Sequence, residues 1–441
     1  MMDTITVGII GVVVLIALLM MGVYVAVALG VVGFVGTAYF LGFNPATSLL
    51  ASTTFHYGTE YTFIVIPLFV AMGLFAAEEG ISKDAYDALT KWIGNVRGGL
   101  GVATIGACAI FGTLTGSSVV TSVVFAKVSV PEMRRHGYDA SISYGLVCTA
   151  GAIGMLIPPS LLAVVYSLLT GESMGQVLLA GIGPGLLLAA GLILAFVALL
   201  TFRPLLGPTR AIENVTWRER LIALPKLWPA FVVAIIMMGG VYFGVFTVVE
   251  SAGIGTAVLL LLYFATKGVS KRSLQVVTAS LREAVALTSM ILLILITAQI
   301  FARFLVLTEL GTALADFVAA AKLSSLEFLL AAIVLTIFLG MLIDSVSILA
   351  IIVPVLYPIA QVMSIDPLWF AMVIIFATQI GLITPPFALS VFAVKAVAEP
   401  DVTLEDIFRG TMFFWIAMVA ILAVLVLIPD ITTWIPYNMW Q

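Results

Sequence analysis

The sequence predicts an all-α polytopic membrane protein built from two inverted repeats, each with one re-entrant helical hairpin and one transmembrane helix broken at a Pro-Pro pair. Three observations carry this. Composition is the first: 62% of residues are hydrophobic and 10% charged, against roughly 45–50% and 25% in a soluble domain. The second is a pair of near-copies, "GAIGMLIPPS" at 151–160 and "TQIGLITPPF" at 378–387, each with a glycine four positions before its first proline. The third is the placement of Lys and Arg, which puts corresponding parts of the two halves on opposite sides of a bilayer.

Apolar runs of about 20 residues, enough to cross the hydrocarbon core, recur from end to end. The first begins at Ile5 with no basic stretch ahead of it, so it reads as a retained helix rather than a signal peptide. Cys108 and Cys148 lie in apolar segments and read as small buried residues, not as a disulfide or metal framework. His56 falls in an expected outer loop and His136 in a basic loop, where neither serves chemistry at the midplane. With no Gly-rich phosphate loop and no separable polar domain, a soluble catalytic unit is excluded, and no nucleic-acid partner is expected.

The repeat is measured from the prolines. Ser117 and Pro158 are 41 positions apart, as are Asp344 and Pro385. "GVYVAVALGVVGFVGTAYFLG" from Gly22 resembles "GVYFGVFTVVESAGIGTAVLL" from Gly240. Ser173-x-x-Gln176 and Thr403-x-x-Asp406 each open a further helix with a capping signature. The first repeat is therefore 1–202, with scaffold helices, a hairpin at 98–130 and a broken helix at 141–169. A polar, basic linker occupies 203–227. The second repeat is 228–441, with its own scaffold helices, a hairpin at 323–358 and a broken helix at 368–397.

Orientation follows from the basic residues. Arg203, Arg210, Arg218, Arg220 and Lys226 make the linker cytoplasmic. Lys267, Lys271 and Arg272 mark a second cytoplasmic turn, Lys83, Lys91 and Arg97 a third, and Lys127, Arg134 and Arg135 a fourth. Residues 42–61, 170–177 and 361–367 lack Lys and Arg and face outside. The segment 98–130 then enters and leaves from the cytoplasm with its tip near Ser117. Its counterpart 323–358 enters from outside with its tip near Asp344. Inverted repeats with discontinuous helices near the midplane are an arrangement of secondary transporters.

Proline lacks an N–H and collides with the carbonyl four residues back. Pro158 and Pro159 are expected to free the carbonyls of Gly154 and Met155, and Pro385 and Pro386 those of Gly381 and Leu382. Such groups are costly in a bilayer unless satisfied. Opposite the breaks stand Ser117, Ser118 and Thr121, or Asp344, Ser345 and Ser347. Carbonyl and hydroxyl oxygens suit a hard cation; sodium fits best, because no intramembrane histidine relay argues for protons. Asp344 follows "FLLAAIVLTIFLGMLI". A carboxylate at that depth costs about 2.5–3.5 kcal/mol and marks a functional position, with a hairpin cap as its structural alternative. Glu250 has a structural role at a turn, and Arg303 snorkels near a helix end.

At these residues the chain resembles the large membrane subunit of tripartite ATP-independent periplasmic (TRAP) transporters. The matching stretches include "GSSVVTS", "VPEMRRHGYD", "GAIGMLIPPS", "YSLLTGESMGQVLLAGIGPG", "GGVYFGVFTVVESAGIG", "GMLIDSVSILAIIVPVLYPIA" and "IGLITPPFALSVFAVKAVAEPDVTLEDIFRG", and they span both halves. The resemblance implies an elevator-type transporter, multi-pass in the bacterial inner membrane, driven by sodium and requiring no other cofactor. It implies two protein partners, a periplasmic substrate-binding protein and a small four-helix membrane subunit that is not fused to this chain. The cargo would be an organic acid such as a C4-dicarboxylate or a sialic acid. Carried over, the first sodium site involves Ser117, Ser118, Gly154 and the backbone near Ile157 and Pro159. The second involves Asp344, Ser345, Gly381 and Thr384. Substrate lies near Ser118, Ser160 and Asp344. The sequence departs from its own symmetry at Phe387, which stands where the first half has Ser160.

Two alternatives are kept. One is a stand-alone sodium:dicarboxylate symporter of similar architecture. The other is an intramembrane serine hydrolase using Ser117 or Ser118, which needs a base beside the nucleophile that neither histidine supplies.

Overall fold

The computed structural model describes residues 3–208 and 215–439, and every regular element among them is a helix. Among the described residues, seven helices are long and apolar enough to cross a membrane. Several shorter apolar helices, including Gly99–Thr115, Leu161–Thr170 and Ser325–Gly340, accompany them. The result is a multi-pass membrane protein, as composition predicts.

One group of helices forms a frame with reciprocal pairing. Val25–Leu41 packs along Lys271–Leu307, Val65–Glu79 packs along Val248–Lys267, and Val65–Glu79 and Lys271–Leu307 meet each other. Small residues bring the axes close. A Cβ on Gly33 would lie 2.7 Å from the Phe301 backbone nitrogen, so any side chain there would push the pair apart. Lys271–Leu307 has 37 residues, about 55 Å at 1.5 Å per residue, so it extends well beyond a ~30 Å hydrocarbon core.

The other group contains the hairpins and the broken helices. The first hairpin is Gly99–Thr115 and Ser118–Val128, reversed at Gly116, whose φ of 56° favours glycine. The second is Ser325–Gly340 and Ser345–Val362. It opens with a Ser324/Glu327 capping box and continues four residues past the expected limit at 358. The first broken helix runs Ala140–Ala150, tightens into a 3₁₀ turn at Gly151–Met155, and resumes at Leu161–Thr170. The second runs Pro367–Gly381 and resumes at Leu389–Lys395. Both Pro-Pro bonds are cis. Packing is again reciprocal: Ser118–Val128 lies on Leu389–Lys395, and Ser345–Val362 lies on Leu161–Thr170. Each hairpin thus holds the resumed helix of the other half.

Four expectations need correction. The outer loop at 42–61, with His56, is largely a helix, Phe43–Thr59. The absence of Lys and Arg assigns a side and not a conformation, and the hydroxyls of Thr47, Thr54 and Thr59 bond carbonyls four residues back within the helix. The basic stretch around Lys83 and Lys91 is also helical, Ile81–Ile93. The linker's second part is helical from Trp217, fixed by a Thr216/Glu219 capping box, so the boundary at 227 falls inside a helical run; Arg210 and the rest of 209–214 lie outside the described residues. Ser173 stands at a helix start but makes no side-chain cap bond, whereas Thr403/Asp406 forms the full box. Thr247/Glu250 forms one too, giving Glu250 its structural role. Both cysteines are buried and unpaired.

Candidate functional site: two hairpin tips on two broken helices

Each hairpin meets the break of its own half through a pair of glycines. A Cβ on Gly112 would lie 2.5 Å from the Gly154 Cα, and one on Gly340 would lie 2.7 Å from the Gly381 Cα. Real Cβ atoms do not approach backbone so closely, so only glycine fits at either seam. Gly154 and Gly381 are legible in the sequence from the prolines. Their partners Gly112 and Gly340 are missed by sequence reading, although each stands a few residues before its tip, at Ser117 or Asp344.

The first tip is a cluster of hydroxyls. Ser117 Oγ accepts from the Val120 N–H at 3.4 Å and caps Ser118–Val128. Thr121 Oγ1 donates to the Ser117 carbonyl at 2.7 Å and lies 3.1 Å from Thr115 Oγ1. Ser122 Oγ donates to the Cys148 carbonyl at 3.4 Å. Ser118 differs from all of these: it is 2% exposed, and its Oγ has no hydrogen-bond partner. A buried orphan hydroxyl costs about 1–3 kcal/mol and calls for a group that accepts its lone pairs or its proton. Nearby, a Cβ on Gly151 would sit 2.6 Å from the Ser118 carbonyl, and one on Gly116 2.7 Å from the Pro159 carbonyl. The tip therefore rests directly on the backbone of the break.

The break satisfies more of its own backbone than the proline argument predicts. The Met155 carbonyl accepts from Ser160 Oγ. The Gly381 carbonyl accepts from the Thr384 N–H at 2.9 Å, and that of Leu382 from the Ser390 N–H at 3.2 Å. Three of the four carbonyls expected to be free are thus bonded by polar residues close to the prolines, Thr384 just before its pair and Ser160 and Ser390 just after. The Gly154 carbonyl has no such bond among the described residues. Ser160 is 1% exposed and also caps Leu161–Thr170 through the Ala163 N–H at 3.3 Å. Ile157 packs its side chain on Gly185.

At the second tip Asp344 is half-buried. One oxygen accepts from the Val346 and Ser347 N–H groups, both at 3.1 Å, and the other from Ser347 Oγ at 2.5 Å. The cap alternative raised for this residue is therefore real. Ser345 is buried in the first turn after it. Thr384 Oγ1 donates to the Ile380 carbonyl at 2.6 Å and accepts from Trp415 Nε1 at 2.8 Å. Trp415 lies in Leu404–Leu427, and its indole was not anticipated by sequence; it leaves the threonine oxygen one lone pair. Phe387, by contrast, is 57% exposed.

A second tie joins the halves away from the tips. Arg134 pairs with Glu399 and, at 2.8 Å, with Asp401. The guanidinium hydrogen bond holds the Asp401 carboxyl below its ordinary range. The Glu399 N–H donates to Tyr144 Oη at 3.1 Å. This joins the segment after the first hairpin to the loop after the second break.

The sequence carries a family signature along nearly this whole fold. A family model described as the tripartite ATP-independent periplasmic transporter, DctM component, matches residues 12–431. The chain belongs to this family. The C4-dicarboxylate TRAP transporter large permease protein DctM of Pseudomonas aeruginosa is 32% identical over 92% of this chain and 93% of its own length. The sialic acid TRAP transporter large permease protein SiaM of Vibrio cholerae is 27% identical over 86% of each. Among solved structures, the YdaH transporter of Alcanivorax borkumensis superposes with a TM-score of 0.61 at 16% identity, covering 88% of this chain and 89% of that one; this is a likeness of fold. The relatives are transporter permease subunits and not enzymes, which sets aside the serine-hydrolase alternative. Among the described residues no group of three or more His, Cys, Asp or Glu side chains could hold a metal ion. Any cation held at the tips of this TRAP large permease would be ligated chiefly by hydroxyl and carbonyl oxygens.

Proposed function

We propose that this large permease drives uptake of an organic acid with a sodium gradient, by an elevator movement, in the bacterial inner membrane. The observation that carries the reading is the orphaned Ser118 hydroxyl on the tip of the hairpin that meets, through Gly112, the break whose Gly154 carbonyl is unbonded. Both oxygens offer lone pairs to a hard cation. The first sodium site comprises Ser117, Ser118, Gly154 and the backbone near Ile157 and Pro159. The second comprises Asp344, Ser345, Gly381 and Thr384, with the remaining lone pair of Thr384 as its hydroxyl ligand.

In this reading both hairpins are re-entrant, from opposite sides, and the halves 1–202 and 228–441 are inverted repeats. The two hairpins and two broken helices travel as one body against the frame of Val25–Leu41, Val65–Glu79, Val248–Lys267 and Lys271–Leu307. Substrate binds between the tips, near Ser118, Ser160 and Asp344, with exposed Phe387 as an apolar contact. The relatives' named cargoes, C4-dicarboxylates and sialic acid, favour a carboxylate. Family membership favours two partners, a periplasmic binding protein that delivers the acid and a small four-helix membrane subunit that braces the frame.

The test is initial uptake in proteoliposomes holding the permease and small subunit, with binding protein outside. An inward sodium gradient should be required, and Ser118→Ala should raise the sodium concentration giving half-maximal rate. Full uptake driven by potassium or by protons alone would refute the sodium reading. Equal uptake by this chain alone would favour the stand-alone symporter.

A further inference from the structure

A cavity of about 810 Å³ opens at the ends of three helices, with no residue of either tip in its lining. It lies where Ala140–Ala150 begins, Ile182–Phe202 ends and Leu404–Leu427 begins. Its volume falls in the range of small-molecule sites, roughly 300–1,000 Å³. Its lining includes the apolar side chains of Ala198, Leu199, Phe202 and Phe413; Phe202 is 84% exposed. The same lining carries Asp139, Arg203, Asp406 and Arg409. None of these residues belongs to the tips or the breaks.

The charges are only partly committed. One Asp139 oxygen accepts the Ile142 N–H at 3.2 Å. One Asp406 oxygen accepts the Thr403 N–H at 2.9 Å and its hydroxyl at 2.6 Å. The second oxygen of each has no hydrogen bond among the described residues. Arg203 forms no ion pair among them, and Arg409 has one exposed contact, to Glu405 at 3.3 Å. Asp401, also on the rim, is taken by Arg134 through both oxygens.

Two arginines and two carboxylates with spare capacity, in a cavity that also has an apolar lining, match a ligand carrying both charges and a hydrocarbon tail. We propose that this cavity binds a phospholipid whose headgroup combines a phosphate with a primary ammonium. The phosphate takes the guanidinium groups of Arg203 and Arg409, whose planar forks suit phosphate oxygens. The ammonium gives its N–H bonds to the free oxygens of Asp139 and Asp406. The acyl chains lie along Phe202 and Phe413. A purely anionic headgroup would face the carboxylates, and a quaternary ammonium has no N–H to donate. The cavity also spans both halves: Ala140–Ala150 packs along Leu404–Leu427, and Ser141 Oγ donates to the Asp406 carbonyl at 2.7 Å. A bound headgroup would hold the two helix starts together.

The experiment titrates the full-length chain in detergent with phosphatidylethanolamine, phosphatidylcholine or phosphatidylglycerol. It reads binding by native mass spectrometry and stability by the thermal midpoint. Phosphatidylethanolamine should bind about tenfold more tightly than phosphatidylcholine, the worth of one hydrogen bond to a charged group, and it alone should raise the midpoint. Arg203→Gln and Asp139→Asn should each erase that preference; the asparagine retains the oxygen that caps the helix. The readout compares lipids within one variant, so a lower baseline stability does not obscure it. Equal binding of all three lipids, or an unchanged preference in both variants, would overturn the site. Soluble phosphoethanolamine should not displace the lipid; displacement at equal affinity would overturn the lipid assignment in favour of a free phosphoamine.

Discussion

Gly112→Ala tests whether the seam between hairpin and break governs transport. The added methyl would stand 2.5 Å from the Gly154 Cα and 3.0 Å from the Gly154 nitrogen. Carbon atoms in ordinary contact stay about 3.5–4.0 Å apart, so the first hairpin must retreat from the break by about 1 Å. Backbone cannot rotate away as a side chain can, and overpacking of this kind costs about 1–3 kcal/mol. The retreat shifts the tip that carries Ser117 and Ser118 relative to the break, so the oxygens of the proposed first site separate. Uptake should fall at least about tenfold, equivalent to about 1.4 kcal/mol, and the sodium concentration for half-maximal rate should rise. Gly106→Ala, on the same helix, is the control. Its methyl would meet only the Leu89 Cδ1 at 3.0 Å, the end of a flexible side chain that can turn aside. The assay is initial uptake against sodium concentration in proteoliposomes, with thermal midpoints of both variants in parallel. Wild-type uptake and sodium dependence in Gly112→Ala would refute the reasoning, as would equal loss in Gly106→Ala.

Asp344→Asn keeps an oxygen to accept the Val346 and Ser347 N–H groups but offers an amide where Ser347 Oγ now donates; it should fold yet lose at least about tenfold in sodium-coupled uptake, whereas wild-type kinetics would reduce Asp344 to a cap. Arg134→Ala should lower the thermal midpoint slightly, because part-exposed pairs contribute about 0–1 kcal/mol, and high salt should shrink the difference. Because Asp401 has a depressed folded carboxyl, its share of that stability is present at neutral pH and is lost only as pH falls through the folded value, below the ordinary carboxylate range; a midpoint difference that disappears near pH 6 would contradict the assignment. A cysteine at Ser364 should be labelled only from outside the cell, and labelling from the cytoplasm would reverse the proposed orientation.

The sequence carried the parts of this fold that repeat. Hydropathy locates the spans, and two Pro-Pro pairs locate the breaks, because proline's effect on a helix is local and needs no tertiary partner. The tips follow from equal spacing. What escaped was whatever depends on approach between distant segments. Nothing near Gly112 announces that it meets Gly154, and nothing near Thr384 announces the Trp415 indole. The helix Phe43–Thr59 escaped for a different reason: a lack of Lys and Arg assigns a side and not a conformation, and its hydroxyls bond their own backbone. The same local bonding explains the missed carbonyls. Proline removes one donor from the ladder, but Thr384 just before its pair, and Ser160 and Ser390 just beyond theirs, replace it. A freed carbonyl in a membrane is therefore a question about the next few residues as much as about the proline. At Gly154 those residues supply no donor, and the nearest tip carries a hydroxyl with no partner. That coincidence of two unsatisfied groups on different segments, rather than the number of prolines, is what singles out the first seam.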